Sequence, residues 1–224
     1  MGLPALVLDF GGPVLLTPFE LAADRPGTPE NALLFERGPL ATTSRPDLAW
    51  QDLQAGLITE VAYWADRAQD LNESGGGVPD IRAMIARIYE PARPDLVRQE
   101  ARKLVQDAQA AGHPVAILSN DMYAFHSKEW IERMEIVAEV DLVVDGSIEG
   151  HLKPDPRLYE LLAERLERNY GDLVFLDDQR VNIAGAEALG IPSVWFDVND
   201  TTSGYDAVRF LLGLSSDESG DHDG

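Results

Sequence analysis

The sequence predicts an α/β protein: a doubly wound parallel sheet of five strands, with a small α-helical module inserted after the first strand. Three observations predict it. Short, near-continuously apolar runs fall at residues 5–8, 114–118, 140–144, 173–176 and 192–196, as expected of strands buried on both faces of a parallel sheet. From residue 98 onward these runs alternate with segments of helical spacing, the pattern of right-handed βαβ crossovers. Between residues 18 and 94 no such run occurs, only helical patterns joined by Gly and Pro.

Taken in order, the first run is stopped by Asp9 and the pair Gly11-Gly12. Helical patterns follow at 30–35, 47–54, 59–71 and 80–89, the last two separated by the Gly- and Pro-rich joint 72–79. An insert of this size is too long for a loop within a compact α/β layer. It predicts a helical module over the strand ends, spanning 18–94, with the α/β core at 1–17 and 95–214. In the core, helices are expected at 98–110, 123–134, 157–166 and 183–189. Gly112 and Gly190 sit just past two of them, where a C-terminal cap favours positive φ. Residues 215–224 hold four acids and no apolar side chain, and predict a disordered acidic tail.

Composition narrows the function. With 18 Lys and Arg against 39 Asp and Glu the net charge is −21, which repels phosphate backbones and anionic headgroups and argues against nucleic-acid or membrane binding. The absence of cysteine excludes disulfides, thiolate metal sites and Cys nucleophiles. The opening Met1-Gly2-Leu3-Pro4 has no basic leader character, and no apolar run approaches membrane-spanning length, so a cytoplasmic protein is expected. Oligomeric state is not legible.

Ligands of open parallel sheets bind beyond the carboxyl ends of the strands. There the sequence places Asp9-Phe10-Gly11-Gly12, then Ser119-Asn120-Asp121, then Asp177-Asp178-Gln179-Arg180-Val181-Asn182. Lys153-Pro154-Asp155-Pro156 lies between the third and fourth strands. Clustered carboxylates need a cation. Mg²⁺ suits them, because it takes few protein carboxylates together with waters and substrate phosphate. One carboxylate can then attack phosphorus and form an aspartyl phosphate, while a hydroxyl, backbone N–H groups and an ammonium hold the transferring oxygens.

The order Asp9, Ser119, Lys153, Asp177-Asp178 resembles the four signature motifs of the haloacid dehalogenase-like (HAD) superfamily. The likeness runs from about residue 5 to about residue 197 and is to phosphatases with a helical cap after the first strand. It implies a Rossmann-like sheet of order 5-4-1-2-3. It also implies that Asp9 is nucleophile and metal ligand, and that Ser119 and Lys153 act on the phosphoryl group with Asn120, Gly11 and Gly12 beside it. Asp178 and the Gly11 carbonyl would ligate Mg²⁺, Asp177 would support them, and Asn182 would orient the acidic loop. The implied activity is a Mg²⁺-dependent phosphatase for a small phosphorylated metabolite.

One departure stands out. The phosphatase pattern carries a second Asp two residues after the nucleophile, and this chain has Gly11. A general acid at that point is often worth about 10²–10⁴-fold in rate. Its absence favours leaving groups that need little protonation: sugar 1-phosphates, acyl phosphates or aryl phosphates. Pro13, in the link from core to insert, would stiffen that joint.

Each residue also has a structural reading. Asp9, Ser119 and the acidic pair can cap turns or helix starts, and Lys153 can be a solvated charge. His113, His126, His151 and His222 are scattered and read as structural or exposed, though His126 and His151 fall near the proposed site. Trp50, Tyr63 and Trp64 read as helix-packing aromatics, Arg45 and Arg93 as surface charges, and Gly75-Gly76-Gly77, lacking a following Lys-Ser/Thr, as a flexible joint rather than a P-loop. Two alternatives remain: a 2-haloacid dehalogenase, whose chemistry has no need of a metal, and a catalytically silent phosphate-binding regulatory protein.

Overall fold

The first strand forms where four apolar residues meet neither Gly nor Pro, and it ends where Asp9 turns polar. In the computed structural model, which describes residues 2–41, 46–90 and 92–214, this is β1 (Ala5–Leu8). The segment that follows carries α1 (Pro18–Ala23), a π-type turn (Asn31–Phe35), α2 (Leu48–Gln54), α3 (Glu60–Leu71) and α4 (Ile81–Tyr89). Next come α5 (Gln99–Ala110), β2 (Val115–Ser119), α6 (Met122–Phe125), α7 (Lys128–Glu132), α8 (Glu135–Glu139), β3 (Leu142–Asp145) and α9 (Gly146–Glu149). The chain continues through α10 (Pro156–Leu166), β4 (Leu173–Asp177), α11 (Arg180–Ala188), β5 (Ser193–Trp195) and α12 (Thr201–Leu212).

All strand pairs are parallel, in the order β3-β2-β1-β4-β5, the expected arrangement read from the other edge. The period-two alternation of strands sorts their side chains into two apolar layers. Leu6, Leu8, Val115, Ile117, Val174 and Leu176 face α5 and α12, in a cluster that continues into the inserted helices. Ala5, Val7, Ala116, Leu118, Leu173 and Phe175 face α10 and α11. With β1 at the centre, the ends of β1, β2 and β4 lie side by side.

The segments that leave and re-enter the sheet at the insert run together. Leu15 bridges Val97, Leu16 N–H donates to the Leu96 carbonyl, and Arg98 N–H donates to the Val14 carbonyl. The Pro13 carbonyl, where stiffening was expected, accepts from the Tyr205 hydroxyl at 2.7 Å. The glycine run 75–77 closes α3, with Gly75 and Gly77 at positive φ.

The structure differs from the sequence reading at several elements. The single helix expected over 123–134 is broken at His126, where extended backbone intervenes and the Ser127 hydroxyl accepts from Trp130 N–H to start α7. Helix α1 was not anticipated, although Thr17 and Glu20 form a capping box around Pro18. Nor were α8, α9 and α12. The expected acidic tail, residues 215–224, lies outside the described residues. Among those described, no helix is long and apolar enough to cross a membrane.

His126 is part of the packing between the insert and the sheet. Its ring stacks on Trp130 at 3.9 Å and meets Tyr89 and Phe10 edge-on. Burial holds its pKa down at about 4, against an ordinary value of 6.5. The unfolded chain therefore takes up this proton first as pH falls. The contribution of the neutral ring is complete above about pH 6.5 and is lost between about pH 6.5 and about pH 4, a total of about 3 kcal/mol. We expect His126→Phe, which keeps the stack and does not titrate, to flatten the loss of unfolding free energy between about pH 7 and about pH 4.5 in urea titrations. An unchanged slope would refute the assignment.

Candidate active site

Lys153 is the centre of the site. Its side chain is buried, and its three N–H bonds have three acceptors: Asp9 Oδ1 at 2.7 Å, Asp177 Oδ2 at 2.7 Å and the Leu118 carbonyl at 2.8 Å. An ammonium has three donors and no acceptor, so it is fully satisfied while tying together the ends of β1, β2 and β4. Burial opposes its charge, but Asp177 and Asp9 hold it protonated well above the usual lysine range.

Local sequence fixes the loop that carries it. Asn120 Oδ1 accepts from Lys153 N–H at 2.7 Å, joining this loop to the end of β2. Asp155 accepts from Arg157 N–H and starts α10 immediately behind Pro156. On the far side Gly185 lets α11 approach closely, since a Cβ there would lie 2.6 Å from the Pro154 Cβ.

The carboxylates are placed just as tightly. Asp177 is fully buried: Oδ1 accepts from Gln179 N–H at 2.7 Å, and Asn182 Nδ2 donates to both oxygens at 3.1 and 3.2 Å. Asp9, Asp177 and Asp178 each offer an oxygen within 4.8 Å of the others. One ammonium against three carboxylates leaves two negative charges in excess. Burial, with some help from Asp177, carries the Asp9 carboxyl up to about 8 despite the pull of Lys153. Burial, Asp177 and Asp9 push Asp178 well above the carboxylate range. Among the described residues no ion pair neutralises Asp178. A divalent cation fits this donor set: it matches the excess charge, and all the donors are hard oxygens. Asp9 and Asp178 are the carboxylates that would hold it, because both oxygens of Asp177 are already engaged.

The other expected residues are close by. The Ser119 hydroxyl accepts from Asp121 N–H and Met122 N–H at 3.3 and 3.2 Å, which leaves its proton free to donate. Gly11 and Gly12 line a small cavity of about 40 Å³ with Asp9 and Asp178. Gly12 has φ +82°, and a Cβ there would press on the Asp178 carboxylate at 3.0 Å. At Gly11 a Cβ would meet only Asp9 Oδ2, at 4.0 Å, so a side chain has room there. The Asn120 side-chain amide is engaged with the Lys153 backbone, and the residue lines the larger cavity beside Lys153.

Glu60 was not singled out from sequence, Asp121 and Gln179 were read within their motifs without a role, and Trp64 was read as packing alone. Glu60, Trp64 and Gln179 line the small cavity, and Asp121 lines a neighbouring one of about 470 Å³ together with Lys153, His151 and Leu152. Trp50 and Trp64 pack with Phe19 and Tyr63 and also face the small cavity, so packing and site are one surface there. His113 bonds the Pro4 carbonyl, Arg93 pairs with Asp95 at the surface, and His126 is in the aromatic stack. Arg45 and His222 lie outside the described residues.

A family model described as haloacid dehalogenase-like hydrolase matches residues 23–190. Phosphatase MT3486 of Mycobacterium tuberculosis (strain CDC 1551 / Oshkosh) is 27% identical over 46% of this chain and 48% of its own length. The (S)-2-haloacid dehalogenase 4A of Burkholderia cepacia is 29% identical over 62% of this chain and 56% of its own. This chain spans about half or less of the length of the curated relatives it matches. Among solved structures, the HAD-hydrolase YfnB from Bacillus subtilis, bound to magnesium, superposes with a TM-score of 0.65. That match covers 96% of this chain and 100% of the other at 15% identity, a likeness of fold. With the match running through the ends of β2 and β4 and the Lys153 loop, and with the sheet order already described, the chain belongs to the haloacid dehalogenase-like hydrolases.

Proposed function

We propose that this hydrolase is a Mg²⁺-dependent phosphatase acting on a small phosphorylated metabolite through an aspartyl phosphate on Asp9. The observation that carries the reading is the charge excess of the site: Lys153 is shared by Asp9 and Asp177, and Asp178 stands beside them without an ion-pair partner among the described residues. A haloacid dehalogenase attacks carbon and needs no metal, so the pair Asp177-Asp178 is hard to explain on that reading. When bound, Mg²⁺ supplies charge neutralisation for the phosphoryl oxygens and the carboxylates.

The chain's own residues do the rest. Lys153 orients Asp9 through Oδ1, leaving Oδ2 as the attacking oxygen. Attack forms the Oδ2–P bond and breaks the bond from phosphorus to the leaving oxygen. The Ser119 hydroxyl and the backbone N–H groups of the loop after β1 face the transferring oxygens. Water then attacks phosphorus, and Asp9 is released with inorganic phosphate. The helices of residues 18–94 act as a cap that keeps bulk water from the site. Gly11 supplies no proton. The leaving group must therefore be a stable anion, as in sugar 1-phosphates, acyl phosphates and aryl phosphates, or be protonated by another group.

Two outcomes are expected. Phosphate release from p-nitrophenyl phosphate and a panel of small phosphomonoesters should need Mg²⁺, stop with chelator, and fall by at least about 10³-fold in Asp9→Asn with the circular dichroism spectrum unchanged. Chloride release from 2-chloropropionate without metal, and no phosphate from any ester, would establish the dehalogenase instead. Mg²⁺ should also raise the midpoint of thermal unfolding, stabilising by about 2.7 kcal/mol at a hundred times its dissociation constant. Asp178→Asn should remove most of that rise, and a full rise in the variant would place the cation elsewhere.

A further inference from the structure

Two cavities meet at the strand ends. The small one holds Asp9, Gly11, Gly12 and Asp178, and the larger one, of about 470 Å³, opens beside Lys153 and runs past Ile58, His151 and Leu152. If phosphorus is bonded at Asp9, the larger cavity is the space left for the departing group. Glu60 and Gln179 are the residues common to both walls. A proton donor for the leaving oxygen has to stand at that junction, because the oxygen is bonded to phosphorus on one side and to its carbon skeleton on the other.

We infer that Glu60, from the first turn of α3, is the general acid and base of this active site, replacing the carboxyl that Gly11 lacks. The inference rests on the phosphatase reading. Trp64 Nε1 donates to the Glu60 Oε1 at 3.3 Å, and Gln179 stands beside Glu60 in the walls of both cavities. The charged and titratable neighbours of Glu60 are Asp9, Asp121, Asp177, Asp178 and Lys153. An acid in the first turn of a helix is ordinarily explained by the helix dipole. That explanation does not require the residue to line the nucleophile's cavity or to be held by Trp64.

In the first step the bond from phosphorus to the leaving oxygen breaks as Asp9 Oδ2 bonds to phosphorus, and that oxygen takes the proton of the Glu60 carboxyl, departing as an alcohol. In the second, water attacks phosphorus and gives its proton to the Glu60 carboxylate. The Asp9–phosphorus bond then breaks, and both carboxyl groups return to their starting state. With Glu60 in place, leaving groups that need a proton are substrates as well.

The test is the dependence of rate on the leaving group in wild type, Glu60→Gln and Asp121→Asn, each with saturating Mg²⁺. Gln keeps the volume and can accept from Trp64 Nε1, and thermal melts confirm the fold. For Glu60→Gln we expect the turnover of ethyl or glycerol phosphate to fall by about 10²–10⁴-fold. With p-nitrophenyl phosphate the burst of nitrophenol should persist, while steady-state release slows and phosphorylated Asp9 accumulates. A merely structural role would lower both substrates equally. That result, or alkyl-phosphate turnover within about twofold of wild type, would overturn the proposal. So would the same signature in Asp121→Asn with Glu60→Gln unaffected, because Asp121 lines the larger cavity with a buried, unpartnered Oδ2. A wild-type protein that releases no phosphate from any ester would overturn the phosphatase reading, and the role of Glu60 with it.

Discussion

The site depends on one buried ammonium. Lys153 joins the nucleophile candidate at the end of β1 to the acid at the end of β4, and binds the last carbonyl of the apolar run in β2. Three acceptors for three donors make the burial of a charge tolerable, since an unpaired buried charge costs several kcal/mol. The same contacts fix which oxygen of Asp9 is free. Geometry and reactivity therefore have a common origin: the carboxylates converge because parallel strands end together, and they remain together because a single cation lies between them.

Three of the contacts that attach the inserted helices to this centre lie close to the acids. The paired linkers set the exit and return, and Arg98 is held between the Gly12 carbonyl and Glu20 at 2.6 Å each. From α2, Gln54 donates to the Asp178 carbonyl and accepts from Arg180 N–H. The third contact is aromatic: Tyr89 at the end of α4 meets His126 and Trp130 edge-on, and Trp130 Nε1 donates to the Tyr89 carbonyl at 3.2 Å. Helices that bring Glu60 to Asp9 are thus bonded to the very loops that carry the acids.

Strand positions and strand-end residues were legible because burial on both faces imposes continuous apolar runs, and a run ends where polar chemistry begins. Asp9, Ser119, Asp177 and Asp178 could be read that way, and their convergence followed from parallel topology; Lys153, in the loop before α10, was read from its motif Lys153-Pro154-Asp155-Pro156. Glu60 could be read neither way. At the start of a helix an acid has a local explanation, and which way it faces depends on how α3 packs against the sheet. The same limit hid the engagement of Asn120 with the Lys153 loop. The break at His126 and the start of α1 left local signals, a Ser three residues before Trp130 and a Thr three residues before Glu20, that periodicity alone passes over.

The central claim is that Asp9 is esterified by phosphorus, and that water attacks phosphorus rather than the carboxyl carbon. A single turnover in heavy-oxygen water, followed by mass spectrometry of both the released product and the peptide containing Asp9, tests it most directly. The account predicts the label in inorganic phosphate and none in Asp9. Label in the Asp9 carboxylate would mean an ester cleaved at carbon, as in dehalogenation, and would contradict it.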